Sequence, residues 1–111
     1  MKKKYRIKKS EEFQKIIYKR HSKANRSFII YFNPKREKNA RIGISVSKKM
    51  GNAVVRNKLK RQIRMMVDEI FDFKHGQYDI IVIVRPNYLK QNYQNNKKDL
   101  EYIFKQAKIK R

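Results

Sequence analysis

A chain of 111 residues has room for one modest core and too little for two, so residues 1–111 read as a single domain. With 31 Lys and Arg against 9 Asp and Glu, the formal net charge is +22. That self-repulsion calls for a polyanionic partner, which nucleic acid supplies and which a membrane surface would match only with an apolar or lipid anchor.

The absence of cysteine excludes a disulfide framework and thiolate metal ligation. No apolar run approaches the roughly 20 residues of a membrane-crossing helix, and Met1 to Lys4 leads into no apolar signal core. The expectation is a soluble, cytoplasmic protein with no membrane partner.

In chain order, Ser10 followed by Glu11 and Glu12 reads as a helix N-cap with acidic residues in the first turn, where the helix dipole favours them. Phe13, Ile16 and Ile17 fall on one face, and the spacing predicts a helix over 10–20. Ser27 to Phe32, SFIIYF, is a β-branched and aromatic run closed by the turn signal Asn33-Pro34, hence a strand. From Ala40 to Ser47, Ile42, Ile44 and Val46 alternate with Gly43, Ser45 and Ser47, which predicts a second strand with one apolar and one small, polar face. The short connection predicts an antiparallel hairpin between these two strands, its small-residue face forming a shallow trough. After Gly51-Asn52, residues 53–71 read as the longest helix, with Leu59, Ile63, Met66, Val67 and Ile70 on one side. Tyr78 to Val84 is almost unbroken apolar sequence stopped by Arg85-Pro86, as suits a central strand covered on both faces. Leu100, Ile103, Phe104 and Ala107 trace a terminal helix behind a polar Asn and Lys linker.

The basic residues of the long helix are ordered. At 100° per residue Asn57, Lys60, Arg61 and Arg64 share one stripe with Arg56 at its edge, away from the apolar side. Such a helix can bury one side on a sheet and offer the other to phosphate oxygens, for which guanidinium forks are well shaped. A solvated charged face is the alternative. Asp68, i+4 to Arg64, is the one acid placed to compensate the stripe, and this favours ligand binding.

Lys48-Lys49-Met50-Gly51-Asn52-Ala53-Val54-Val55-Arg56-Asn57, continued by Lys60-Arg61 and Arg64, closely resembles the RNR signature of the bacterial ribonuclease P protein family. The resemblance extends over most of the chain, taking in Phe13, the Ser27–Phe32 strand, Gly43 to Ser47, the apolar strand and the final helix. It implies an α+β fold, an α/β sandwich in which three helices pack on a small, mostly antiparallel sheet of about four strands with a left-handed β-α-β crossover. The residues themselves show three strands; the fourth, around His21 to Asn25, comes from the resemblance. It further implies that Lys48, Lys49, Arg56, Asn57, Lys60, Arg61 and Arg64 contact the catalytic RNA of ribonuclease P. A cleft formed by Phe13, Ile17, Tyr31, Ser45 and Ser47 would receive the single-stranded 5′ leader of precursor tRNA. Aromatic faces stack on unpaired bases and small residues admit a backbone closely. Ile17 stands where relatives often carry a second aromatic. Ordinary core packing remains an open alternative for Phe13, Ile17 and Tyr31.

No nucleophile constellation or Gly-rich phosphate loop is present, and His21 and His75 are isolated in sequence. Asp68 and Asp72, at i and i+4, could share a cation, although such pairs are usually solvated. The resemblance implies that the RNA subunit performs hydrolysis with Mg²⁺ in its own phosphate sites, that no protein catalytic residue is involved, and that no protein partner is required. A structural RNA-binding protein, such as a ribosomal component, and a nonspecific DNA compactor are the competing readings.

Overall fold

The computed structural model describes residues 1–109. Helix α1 spans Ser10–Tyr18, with Glu11 and Glu12 in its first turn as expected. Its N-cap is Lys9 and not Ser10, which already has helical geometry. The helix stops short of residue 20 because Arg20 takes a φ of 59°, the left-handed conformation that ends helices. The chain then enters β1 (Ser22–Ala24), whose three residues are all exposed and so carry no hydrophobic pattern. It is the fourth strand that the resemblance supplied.

Strands β2 (Phe28–Pro34), β3 (Ile42–Ser45) and β4 (Tyr78–Val84) complete a sheet of order β1-β2-β4-β3. The expected hairpin is corrected: β2 and β3 do not pair. β4 lies between them, antiparallel to β2 from Phe28↔Val84 to Pro34↔Tyr78 and parallel to β3 from Ile42↔Ile80 to Ser45↔Ile83. The reason is burial. β4 is apolar on both faces and is best placed at the centre, while β3, with its small, polar second face, suits the edge. The sheet is therefore mixed, and β3 reaches β4 through helix α2 (Ala53–Ile70) in a β-α-β crossover.

The fold has three layers. Against one face of the sheet pack α2 and α3 (Tyr93–Gln106), enclosing Phe28, Ile30, Val82, Ile63, Met66 and Ile103. Against the other lies α1, seated by Ile16 on Ile7 and Ile81. β4 is thus covered on both faces, with Ile80, Ile81 and Val82 excluded from solvent.

α3 begins seven residues before Leu100, so the Asn and Lys run belongs to the helix and is not a linker. Asn92 caps it, accepting from the Asn95 amide at 2.8 Å. Asn96 points into the core, donating from Nδ2 to the Tyr88 carbonyl at 3.0 Å and accepting from Gln91 Nε2 at 2.8 Å. A satisfied polar residue on the buried face is invisible to a hydrophobic count.

Asp99 holds this helix to the β1–β2 turn. Its Oδ2 accepts from the fully buried Ser27 hydroxyl at 2.5 Å, from Gln91 Nε2 at 2.9 Å and from Arg26 Nε at 3.3 Å. Burial alone would push the Asp99 carboxyl up, but these donors outweigh it and hold it below its ordinary value. A depressed carboxylate contributes stability above its unfolded pKa, near 3.8, and loses that contribution as pH falls through the folded value. Asp99→Asn should therefore destabilise the protein by about 1–2 kcal/mol at pH 7, and by progressively less below about pH 4. Urea titrations of both proteins at pH 7, 5 and 3 check this; an undiminished gap at pH 3 would contradict it.

Candidate nucleic-acid interface

The turn before α2 explains the signature residues one by one. Met50 is buried, anchoring a short 3₁₀ turn (Lys48–Met50) that leaves Lys48 and Lys49 exposed. The Ser47 hydroxyl caps that turn, accepting from the Lys49 amide at 3.2 Å. Gly51 has a φ of 145°, and a Cβ there would lie 2.9 Å from the Val55 side chain, so only glycine makes this corner without strain. Asn52 then caps α2, its Oδ1 accepting from the Val55 amide at 3.0 Å.

Leu59, Ile63, Met66 and Val67 turn into the core, leaving the basic stripe outside. Asn57 and Arg61 are exposed; Arg56, Lys60 and Arg64 are half-buried on the flank nearer the sheet. The expected Arg64–Asp68 compensation does not form, because Asp68 Oδ2 pairs with the α-ammonium of Met1 at 3.4 Å. Burial, reinforced by the Arg6 guanidinium, instead pushes the pKa of Arg64 down. The Arg56 Nε is buried without a hydrogen-bond partner among the described residues. Among the described residues no acid pairs with the stripe, which is positive charge held on a regular helix.

The cleft lies on the opposite face of the sheet. The strand register places Tyr31, Ile81 and Gly43 in one row across β2, β4 and β3, and Ile29, Ile83 and Ser45 in the next. Over the first row sits α1. The Phe13 ring fills the space above Gly43, reaching within 2.5 Å of where a Cβ would stand. The expected trough is therefore occupied at Gly43, while Ser45 in the next row is half-buried. Phe13, Ile17, Tyr31 and Ile83 are partly buried around Ile7, Ile16 and Ile81, and so contribute to packing while keeping an accessible edge. Ser47 lies beyond the end of β3, in the turn described above. Ile29 and Ile83 belong to the floor but were not singled out from the sequence; the two-residue alternation from Tyr31 and Ile81 marks both.

The first turn of α1, next to Phe13, is also fixed by an ion-pair tether. Arg41 Nη2 lies 2.7 Å from Glu12 Oε2 on α1 and 3.3 Å from Asp79 Oδ2 on β4, and the Arg41 amide donates to Asp79 Oδ1 at 3.1 Å. Burial by itself would lower the Arg41 pKa, but Glu12 and Asp79 together hold it above its ordinary value. At Asp79 burial dominates and pushes the carboxyl up despite Arg41. A hollow of about 920 Å³ surrounds this tether and the far side of α1, lined by none of the α2 residues.

Asp68 and Asp72 do not share a helix, since α2 ends at Ile70 and Asp72 lies in the following turn. There Asp72 Oδ2 meets His75 Nδ1 at 2.6 Å, an interaction that holds the carboxyl below its ordinary range. His21 lies exposed in the segment before β1.

Comparison with known proteins gives a consistent result. The family model described as Ribonuclease P matches residues 1–108. The chain is 47% identical over 112 residues to the ribonuclease P protein component of Bacillus cereus (strain ATCC 10987 / NRS 248), covering 100% of this chain and 97% of that one. The structure resembles the Staphylococcus aureus RNase P protein with a TM-score of 0.84 at 44% identity, over 96% of this chain and 98% of that chain. It also resembles the RNase P protein from Thermotoga maritima with a TM-score of 0.77 at 26% identity, over 91% and 96% respectively.

Proposed function

The chain belongs to the bacterial ribonuclease P protein family, and from that premise we propose that it grips the catalytic RNA through α2 and the single-stranded 5′ leader of precursor tRNA through the cleft beside α1. As a protein component of ribonuclease P it is an RNA-binding subunit of a ribonucleoprotein that processes tRNA 5′ ends.

The observation that carries this reading is the uncompensated stripe Asn57, Lys60, Arg61 and Arg64 on a helix whose other side is buried. Lys48 and Lys49 extend it at the helix N-terminus, and Arg56 lies at its edge. These residues position the RNA by phosphate contacts, which carry no sequence information. In the cleft, Phe13 and Tyr31 offer aromatic surface to unpaired bases, Ile17 offers aliphatic surface, and Ser45 and Ser47 leave room for the strand backbone.

The cleavage step falls to the RNA subunit, with Mg²⁺ held among its phosphates. The residues described in the protein do not fit as a cation cage: none of their carboxylates and imidazoles form a group of three suited to a metal, and Asp68, Asp72 and His75 are engaged elsewhere. No protein residue is assigned a catalytic role. By neutralising phosphate repulsion the protein favours the compact RNA in which those cations bind. The enzyme would act in the cytoplasm without a further protein partner.

Reconstitution with the cognate catalytic RNA at low Mg²⁺ tests the reading: the protein should restore cleavage of leader-bearing precursor. Tyr31→Ala should weaken binding of that precursor about tenfold, in line with one lost base stack, and leave a leaderless substrate unaffected. Equal losses on both would remove the cleft from the leader path. Recovery of ribosomal RNA alone on the protein from lysate would favour a ribosomal role instead.

A further inference from the structure

The N-terminal segment belongs to neither the signature helix nor the cleft, yet it is firmly placed beside both. Arg6 forms a parallel bridge to Ile42, the Ile7 amide donates to the Ile42 carbonyl at 2.8 Å, and Ile7 is buried beneath α1. Tyr5 stacks on Phe73 with ring centroids 4.8 Å apart. So held, Arg6 and Lys8 face Lys60 and Arg64 of α2 around a pocket of about 220 Å³, with Phe13 and Ile44 in its wall. Among the described residues, no carboxylate lines it.

This arrangement is unfavourable in the free protein. Two guanidiniums stand near enough for Arg6 to add to the burial that lowers the Arg64 pKa, and the Arg6 Nε is buried with no hydrogen-bond partner among the described residues. Of the two acids on the same helix, Asp68 is taken by Met1 and Glu69 by Lys97. Partly desolvated like charges call for a compact anion with several acceptor oxygens. A phosphodiester group meets that need, and Phe13 joins the pocket directly to the cleft.

We propose that Arg6 and Lys8 act with Lys60 and Arg64 to bind one RNA phosphate at the seam between the leader cleft and α2. This rests on the RNA-binding reading above. The phosphate belongs either to the leader as it passes Phe13 or to the catalytic RNA beside α2.

The test uses the full chain with Arg6→Gln, Lys8→Gln and, as a control on the opposite edge of the sheet, Lys23→Gln. Affinity is measured from 50 to 200 mM salt for the catalytic RNA alone, and for leader-bearing and leaderless precursor on the reconstituted enzyme. Losing one phosphate contact should lower the slope of log K against log salt by about 0.7–0.9, so the deficit of each pocket variant should shrink about threefold over that range. A deficit confined to leader-bearing precursor assigns the phosphate to the leader; one already present with the catalytic RNA alone assigns it to that subunit. Lys8 is exposed, so its variant remains informative even if Arg6→Gln perturbs folding.

Wild-type affinity and slope in both variants, or a salt-independent loss shared by all three RNAs, would overturn the proposal. If Arg61→Ala still weakened catalytic-RNA binding in the first case, the broader reading would stand. If Arg61→Ala were silent too, both would fall.

Discussion

Replacing Lys60, Arg61 and Arg64 together by Gln should lower affinity for the catalytic RNA by about 10²–10³ at moderate salt, while the protein melts no earlier than the wild type. The first effect follows from removing up to three charge-assisted phosphate contacts, each contributing on the order of 1.5 kcal/mol. The second follows from the division of the helix. Its packing is carried by Leu59, Ile63, Met66 and Val67, Gln is nearly as good a helix former as Lys or Arg, and the exchange relieves like-charge repulsion at i, i+3 and i, i+4. Thermal melting beside RNA titration separates the two effects. A drop in melting temperature with intact RNA affinity would make the stripe a structural feature.

The other large effect is expected at the tether. Arg41→Met should destabilise the fold by about 3–5 kcal/mol, because it leaves Asp79, 1% exposed, charged and without its guanidinium. The double variant Arg41→Met/Asp79→Asn should recover most of that loss, since the buried charge is gone and the Arg41 amide can still donate to the side-chain oxygen. The pH dependence has a definite sign. Burial already raises the folded Asp79 pKa, and removing Arg41 raises it further. Protonation on acidification then relieves the strain, so the deficit of the single variant should narrow as pH falls from 7 toward 4. Denaturant titrations across that range check this; a deficit independent of pH would show that Asp79 is not the cause. Glu12→Gln, which loosens α1 but leaves the Arg41–Asp79 pair, should have a much smaller effect, about 1 kcal/mol or less.

Local patterns made most elements legible. The apolar run of β4, the two faces of α2 and the Asn52 cap follow from period, burial and hydrogen-bonding rules that act over a few residues. Pairing did not follow, because a short loop between Pro34 and Ile42 suggests a hairpin, whereas the doubly apolar β4 outcompetes β3 for the place beside β2. The start of α3 was hidden by Asn96, whose polar side chain is satisfied inside the core. The basic stripe could be read because a helix fixes relative directions within one segment. The pocket at Arg6 could not, since it depends on a bridge between residue 6 and residue 42. Phe13 above Gly43 was likewise a meeting of distant segments.

The placement of β4 between two earlier strands also sets an order of events in biosynthesis. β2 and β3 have no common neighbour until residues 78–84 are made, so the contacts that close the sheet span long stretches of chain and must form late. A nascent chain that has completed α2 but not β4 carries its cationic helix beside two open strand edges. Translation that stalls in that interval would release a species disposed to self-association.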